Sequence, residues 1–214
     1  WLDRPAGHLD APLVAQEPLE RAVNGSLLAN FINTVQRWAS GADVSACSLP
    51  NEFHGMEQDV SVRDVVSTYV YANTLKLLRV TGRDLRAYAE HTASYFAVEN
   101  GRVCVSGRFL RPKVEHNNYD YFSGMDYVID LRRPVGERIT SMRKDGRDIS
   151  PDEELLLCVN SYRASGTGGY DMLPALPLER DIQDDVSELI IRYIEEKREI
   201  HVDRHGYLTV ILPD

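Results

Sequence analysis

The first candidate for a functional site in this sequence is a glycine-rich stretch, Ser165–Gly169, which follows an apolar run at Leu155–Asn160. Glycine has no Cβ atom, so a ligand or another part of the protein can approach its backbone closely. The stretch is not a dinucleotide-binding fingerprint, because Asp171 stands where the G-x-G-x-x-G pattern needs its last glycine, and no G-K-[ST] follows. Composition alone leaves two readings open, a ligand-binding loop and a plain strand-to-helix turn.

A second candidate is the aromatic-rich stretch His116–Tyr127, which holds four aromatic residues of a chain that has 11 Tyr, 5 Phe and 2 Trp. Tyrosine suits surfaces that are both apolar and wet, because its ring packs while its hydroxyl stays hydrated. Tyr119 lies at the asparagine-rich start of the stretch, so we expect it to be the exposed ring. The alternative is a strand whose tyrosines fill the face of a sheet.

A third candidate is His201-x-Asp203-x-His205, because alternate residues of a strand share one face and could together bind a metal ion. We expect no metal site here, since Asp203–Gly206 is typical of a turn that would separate the three side chains. No H-E-x-x-H motif is present for metal-assisted hydrolysis, and no G-x-S-x-G motif for a serine nucleophile. The sequence therefore predicts no catalytic residue.

Charge and composition exclude several classes of partner. The chain of 214 residues has 24 Lys and Arg against 33 Asp and Glu, a formal net charge of −9. This acidic balance argues against a nucleic-acid polymer or an anionic membrane surface, both of which select clustered basic residues. No apolar run approaches the ~20 residues of a membrane-spanning helix, so we expect no membrane insertion.

The elements that must position these residues follow from hydrophobic periodicity. Helices and strands mix without a regular βαβα alternation, which predicts an α+β fold: a single domain with a mixed β-sheet and packed helices. We expect an extended lead-in at 1–18 and the domain at 19–214. The predicted helices are 19–39, 61–70, 81–96 and 184–196; the predicted strands are 42–49, 75–80, 119–131, 139–143 and 155–160; and hairpins are predicted across Asn100-Gly101 and across Asp203–Gly206.

Six segments are specific when their order and spacing are taken together, although each is a weak signal alone. They are Asp64–Val66, Tyr71–Leu75, Val80–Leu85, Tyr119–Asp130, Gly136–Ile139 and Asn160–Tyr170. Together they resemble the C-terminal domain of the bacterial 5′-nucleotidase family. The similarity is greatest to the branch with 2′,3′-cyclic-nucleotide 2′-phosphodiesterase and 3′-nucleotidase activity.

The resemblance implies a larger phosphoric ester hydrolase. An N-terminal metallophosphatase domain would bind two divalent metal ions that activate water, and the C-terminal domain would bind a nucleoside or nucleotide substrate. The chain begins at Trp1 without Met, and we expect it to be a piece of that longer protein. We therefore expect this chain to contain no cofactor and to bind without hydrolysing, in an extracellular, cell-wall-associated or periplasmic bacterial protein.

The resemblance also assigns substrate-binding residues, namely Tyr119, Tyr170, Asn73, Gly168 and Gly169. The two tyrosines match a pair of aromatic rings that sandwich the base, so we expect them to face one another across a cleft. The adjacent glycines would let the ribose or base approach the main chain.

The sequence departs from the family pattern at two points. The 5′-nucleotidase branch carries N-G-G-G-x-R where this chain has Ser48–Gly55 without an arginine, which favours the cyclic-nucleotide branch. The usual proline before Asn73 is replaced in Tyr71-Ala72-Asn73.

Two alternative functions remain open for this chain. It could be a non-catalytic binding module or a spacer module of a bacterial cell-surface protein.

Overall fold

The computed structural model describes residues 1–214 and contains six α-helices and fourteen strands. The helices are α1 (Pro18–Asn24), α2 (Leu27–Ser40), α3 (Val62–Thr68), α4 (Gly82–Ala93), α5 (Ser161–Ala164) and α6 (Val186–Lys197). The strands are β1 (Pro5–Leu9), β2 (Val44–Ser48), β3 (Asp59–Ser61), β4 (Leu75–Thr81), β5 (Phe96–Glu99), β6 (Arg102–Val105), β7 (Asp120–Ser123), β8 (Asp126–Asp130), β9 (Ile139–Lys144), β10 (Arg147–Asp148), β11 (Glu154–Asn160), β12 (Leu178–Ile182), β13 (Glu199–Ile200) and β14 (Leu208–Ile211). None of the helices is both long and apolar enough to cross a lipid bilayer.

The central sheet has five strands in the order β12-β4-β11-β2-β7. Strands β11 and β2 are parallel, while the other neighbours are antiparallel. The carboxyl ends of β11 and β2 therefore lie at one edge of the sheet. Strand β7 begins opposite Ser48 and β4 begins opposite Asn160, so the loops that precede both strands also meet at this edge. We call it the loop edge.

Two smaller sheets and a hairpin complete the fold. Strands β13, β1 and β3 form one sheet, β10, β9, β8 and β14 form another, and β5 pairs with β6 alone. Helix α2 packs against β2 and β7, whereas α4 packs against β4 and β9. A single hydrophobic core joins the sheets and helices. The prediction of a single α+β domain with a mixed sheet is confirmed.

The N-terminal segment belongs to this domain and is not a lead-in to it. Strand β1 lies between β3 and β13 and pairs with both. Leu9 and Leu13 are fully buried in the core. The boundary expected at residue 19 is therefore wrong as a structural boundary, although Pro5–Leu9 is extended as predicted. Proline is rare inside strands, and the burial of β1 does not alternate strictly along Pro5–Leu9, so the segment lacks the usual signal of a strand.

Three other predicted elements differ from the structure. The helix expected at 19–39 is two helices, because Gly25 has φ 82° and Ser26 starts α2 by capping the Ala29 amide. The stretch 119–131 is two strands, β7 and β8, that turn at Gly124 into different sheets. The hairpin expected across Asp203–Gly206 does not form, because β13 pairs with β1 while β14 pairs with β8.

The other local signals are confirmed. Asn100 and Gly101 both have positive φ and join β5 to β6 as a tight hairpin. Ser61 and Thr81 each cap a helix, in a reciprocal arrangement with an aspartate three residues later. These signals are local, so they do not depend on which strands pair.

Candidate functional site

Four segments meet at the loop edge, and side chains cross-link them: 49–53, 70–74, 116–119 and 161–169. The Asn51 side chain joins the first segment to the third, because its Oδ1 accepts from the Asn117 amide at 3.1 Å. Its Nδ2 also donates to the carbonyl of Val114, just before the third segment, at 2.9 Å. Ser161 joins the fourth to the second, since its Oγ accepts from the Thr74 amide at 3.1 Å. Arg163 of the fourth segment donates to the Asn117 carbonyl of the third at 3.1 Å, so all four segments are connected.

The glycine-rich segment turns sharply at this edge, as its sequence indicates. Asn160 caps the one-turn helix α5, and Gly166, Gly168 and Gly169 then adopt φ values of 87°, 85° and 84°. A Cβ atom on Gly168 would lie 2.6 Å from Asn118 Oδ1, and one on Gly169 would lie 2.9 Å from His91 Cε1. The close approach that these glycines permit is therefore to the protein's own side chains.

An ion pair between Arg163 and Asp120 lies beneath the loops, with both side chains almost fully buried. The guanidinium donates to the two Asp120 carboxylate oxygens from Nε at 2.7 Å and from Nη2 at 2.8 Å. Tyr88 donates its hydroxyl to the same carboxylate. Burial acts to lower the pKa of Arg163, but the Asp120 carboxylate, together with Tyr170 and Tyr88, raises it by more, so the net shift is upward. Arg163 is therefore charged, and it is paired with Asp120.

Tyr170 is not at a pocket rim. Its ring is fully buried, and its hydroxyl donates to the Asn118 carbonyl at 2.5 Å and lies 2.7 Å from the Thr92 hydroxyl. The Arg163 guanidinium lies 4.2 Å from the ring centroid. Burial, and after it the Asp120 carboxylate, raises the pKa of Tyr170. No face of this ring is free to stack on a base.

Tyr119 is buried as well, with 1% of its surface exposed. Its hydroxyl donates to the Ala22 carbonyl at 2.8 Å, and its ring packs against Tyr95 and Tyr121. The expectation of two exposed rings facing across a cleft is therefore wrong. Tyr119 is buried because the asparagine-rich stretch forms a 3₁₀ turn at His116–Asn118 and helix α1 covers the Tyr119 ring that follows this turn.

Asn73 is also turned away from solvent. It is 8% exposed, its Nδ2 donates to the Tyr69 hydroxyl at 3.4 Å, and its carbonyl accepts from the Val186 amide at 2.8 Å. In this structure Asn73 ties the start of β4 to α6. It does not line an open surface.

The exposed aromatic ring of the loop edge is Tyr162, which stands in α5 immediately before Arg163 and is 40% exposed. Tyr71 lies next to it and is half-buried; burial, and after it the neighbouring Tyr162 hydroxyl, raises the pKa of Tyr71. The hydroxyls of Ser165 and Thr167 are exposed beside them, 2.8 Å apart. Sequence reasoning missed Tyr162 because burial is inverted here: the charged Arg163 is inside and the aromatic residue outside.

The three side chains of the histidine-rich turn go to different partners. His201 Nδ1 lies 3.3 Å from Asp10, His205 Nε2 lies 2.6 Å from Asp126, and Asp203 accepts from the Tyr207 hydroxyl at 2.6 Å. No group of three or more His, Cys, Asp or Glu side chains in the chain is placed to hold a metal ion. The alternation of residues in the sequence does not become a shared face, because the turn is not a strand.

The fold and the loop edge define an α+β domain that presents an exposed aromatic ring, Tyr162, beside a glycine-rich turn. Residues 5–175 match the family model described as the 5′-nucleotidase C-terminal domain. The chain therefore belongs to the 5′-nucleotidase C-terminal domain family, which confirms the resemblance seen in the sequence.

Similar proteins agree with this family. A Staphylococcus aureus protein described as a 5′-nucleotidase, solved in complex with alpha-ketoglutarate, is 34% identical with a TM-score of 0.92, covering 99% of this chain and 41% of that one. The trifunctional nucleotide phosphoesterase protein YfkN of Bacillus subtilis is 24% identical over 67% of this chain and 11% of its own length. A 2′,3′-cyclic-nucleotide 2′-phosphodiesterase/3′-nucleotidase of Yersinia enterocolitica is 23% identical over 92% of this chain and 33% of its own length. The chain thus spans a third or less of these two curated relatives.

Proposed function

We propose that this chain is the nucleoside- or nucleotide-recognition domain of a two-metal phosphoesterase that hydrolyses 2′,3′-cyclic nucleotides and 3′-nucleotides, or 5′-nucleotides. Membership of the 5′-nucleotidase C-terminal domain family supports this, as do the nucleotide substrates in the names of the relatives. The observation that carries the proposal is the exposed Tyr162 ring on the glycine-rich turn of the loop edge.

Tyr162 is the ring that we propose stacks on the base. A nucleobase has two flat π faces, and stacking on an aromatic side chain is worth about 1–3 kcal/mol while tolerating different bases. Ser165 Oγ donates to the Tyr162 carbonyl at 2.6 Å, and the exposed hydroxyls of Ser165 and Thr167 offer hydrogen bonds to a ribose. Of the residues first assigned to binding, Gly168 and Gly169 keep a role through the shape of this turn.

The hydrolytic chemistry would come from a metallophosphatase domain N-terminal to this one. We propose that its two divalent metal ions activate the attacking water, and that the present chain alone binds nucleosides without turnover. An extracellular, cell-wall-associated or periplasmic location is part of the proposal. One structural neighbour, from Thermus thermophilus, is described as a 5′-nucleotidase precursor, which is consistent with export of that protein.

Calorimetric titration of the chain with adenosine, 3′-AMP and 2′,3′-cyclic AMP tests the proposal. We expect binding of at least one of them, an affinity about tenfold weaker in Tyr162→Ala, and an affinity within about threefold of wild type in Tyr162→Phe, which keeps the stacking face. Leu178→Ala is the matched control, because Leu178 is also exposed but lies on the edge strand β12.

Two results would contradict the proposal. If none of the three ligands binds, the alternative of a non-catalytic binding or spacer module of a cell-surface protein is favoured. If the purified chain releases phosphate from 3′-AMP when Mn²⁺, Co²⁺ or Zn²⁺ is added, the division of labour between two domains is wrong.

A further inference from the structure

Arg163 makes more contacts than any other buried charged side chain at the loop edge, and they reach in two directions. Beyond Asp120, Nη1 donates to the Thr167 carbonyl at 2.5 Å and to Asn118 Oδ1 at 3.4 Å, and Nη2 donates to the Asn117 carbonyl at 3.1 Å. All five N–H donors of the guanidinium therefore have an acceptor. One side chain thus holds both the glycine-rich turn and the 116–119 segment.

His91, in α4, holds the same turn from a second element. Its Nε2 donates to the Gly168 carbonyl at 2.9 Å, and its ring packs edge-on against Tyr170 at 4.3 Å. The Tyr170 ring thus contacts both the His91 ring and the Arg163 guanidinium. The turn is therefore held at Thr167 and at Gly168 by two side chains from different elements.

An apolar core at this place could fill the space but could not bind the loop carbonyls. Replacing a buried ion pair with apolar residues of similar volume is often neutral or stabilising, so such a pair is weak evidence for stability alone. Arg163 can do what an apolar side chain cannot: its planar guanidinium donates hydrogen bonds in fixed directions to three acceptors besides Asp120. These acceptors belong to Asn117, Asn118 and Thr167. Arg163 also follows Tyr162 directly in the chain, and its guanidinium lies 5.7 Å from the centroid of the Tyr162 ring.

We infer that Arg163, paired with Asp120 and assisted by His91, is the positioning residue of the loop edge: it fixes the glycine-rich turn against the 116–119 segment and so sets the orientation of Tyr162. This inference rests on the proposed function for its binding consequence, but its structural consequence does not depend on any ligand. Arg163 is buried and does not touch the ligand surface itself.

Arg163→Lys is the direct test, because lysine keeps the charge that Asp120 needs but cannot reach the three loop acceptors together. We expect a cooperative melt, amide hydrogen exchange at least about tenfold faster in both 116–119 and 165–170, and exchange in β4 and β11 within about twofold of wild type. Adenosine affinity should fall at least about tenfold. Arg138→Lys is the matched control, since Arg138 is also buried but donates to the Ala93 and Phe96 carbonyls and to none of the loop-edge segments.

A second pair of variants keeps the test decisive if Arg163→Lys does not fold. His91→Leu removes the bond to the Gly168 carbonyl, whereas His91→Gln keeps a donor. We expect faster exchange in 165–170 but not in 116–119 for His91→Leu, and a smaller change for His91→Gln.

The outcomes separate the two ideas. Wild-type loop protection in the folded Arg163→Lys protein, or exchange that accelerates equally throughout the chain, overturns the positioning role. Unchanged exchange in His91→Leu also counts against it. If wild-type protein binds no nucleoside, the proposed function fails, while the exchange measurements still decide whether Arg163 positions the loops.

Discussion

The buried hydroxyl of Tyr170 gives a prediction that separates a core tyrosine from a ligand-binding one. Tyr170→Phe removes only the oxygen and leaves the ring in place. That oxygen binds the Asn118 carbonyl and the Thr92 hydroxyl, and both residues are at most 4% exposed. The substitution therefore leaves buried polar groups without their partner, and water cannot replace it easily.

The expected loss follows from those two contacts. A buried polar group left unsatisfied costs about 1–3 kcal/mol. The Thr92 hydroxyl can rotate toward a backbone carbonyl one turn earlier in α4, so the cost falls mainly on the Asn118 carbonyl. We expect the free energy of unfolding to drop by about 2 kcal/mol, which lowers the melting temperature of a chain of this size by about 4–8 °C. Tyr170→Ala should cost about 3–5 kcal/mol, because it also removes the ring.

Thermal and urea denaturation of the purified chain measure this loss. Tyr162→Phe is the matched control, because it removes the same hydroxyl from an exposed ring and should change the free energy of unfolding by less than about 0.5 kcal/mol. The reasoning is refuted if Tyr170→Phe melts like wild type and instead weakens nucleoside binding. That result would return Tyr170 to the binding surface.

Two further predictions follow from the same structure. Gly168→Ala should lower the free energy of unfolding by about 1–3 kcal/mol more than Gly101→Ala, as measured by urea denaturation. Both glycines have positive φ, but only a Cβ at position 168 would overlap Asn118. Equal losses of stability in the two variants would show that the loop moves to accommodate the added methyl group. Burial, and after it the charge of Arg21, lowers the pKa of His116 below 6.5. The His116 imidazole therefore takes up a proton less readily in the folded protein than in the unfolded chain. The resulting stability is complete above pH 6.5 and is lost as the pH falls below it. Melting temperatures should therefore fall less on acidification in His116→Gln than in wild type, and parallel curves would contradict the assignment.

Much of the fold could be predicted from the sequence because its signals are local. The capping residues Ser61 and Thr81, the Asn100-Gly101 turn and the apolar run of β11 each act over a few residues. The helix break at Gly25 was missed because apolar residues continue with helical spacing on both sides of it. Only the backbone conformation there separates α1 from α2.

The candidate site was harder to predict, because burial inverts the usual preferences of its residues. Tyr119 and Tyr170 have the composition of a wet aromatic rim, yet both are in the core, whereas Tyr162 is outside. Arg163 would ordinarily be placed in solvent, since arginine is rarely buried without a partner. Its partner Asp120 lies at the start of strand β7, 43 residues earlier in the chain.

The sequence by itself determined the family, the α+β class and the place of the glycine-rich turn, because each depends on motifs and periodicities that short segments carry. Only the tertiary structure decided which aromatic ring faces solvent, where the three histidine-turn side chains go and what the glycines approach. Those outcomes depend on which strands pair and which loops they bring to one edge. Sequence spacing does not encode that pairing, and the buried bond between Arg163 and Asp120 exists only once it has formed.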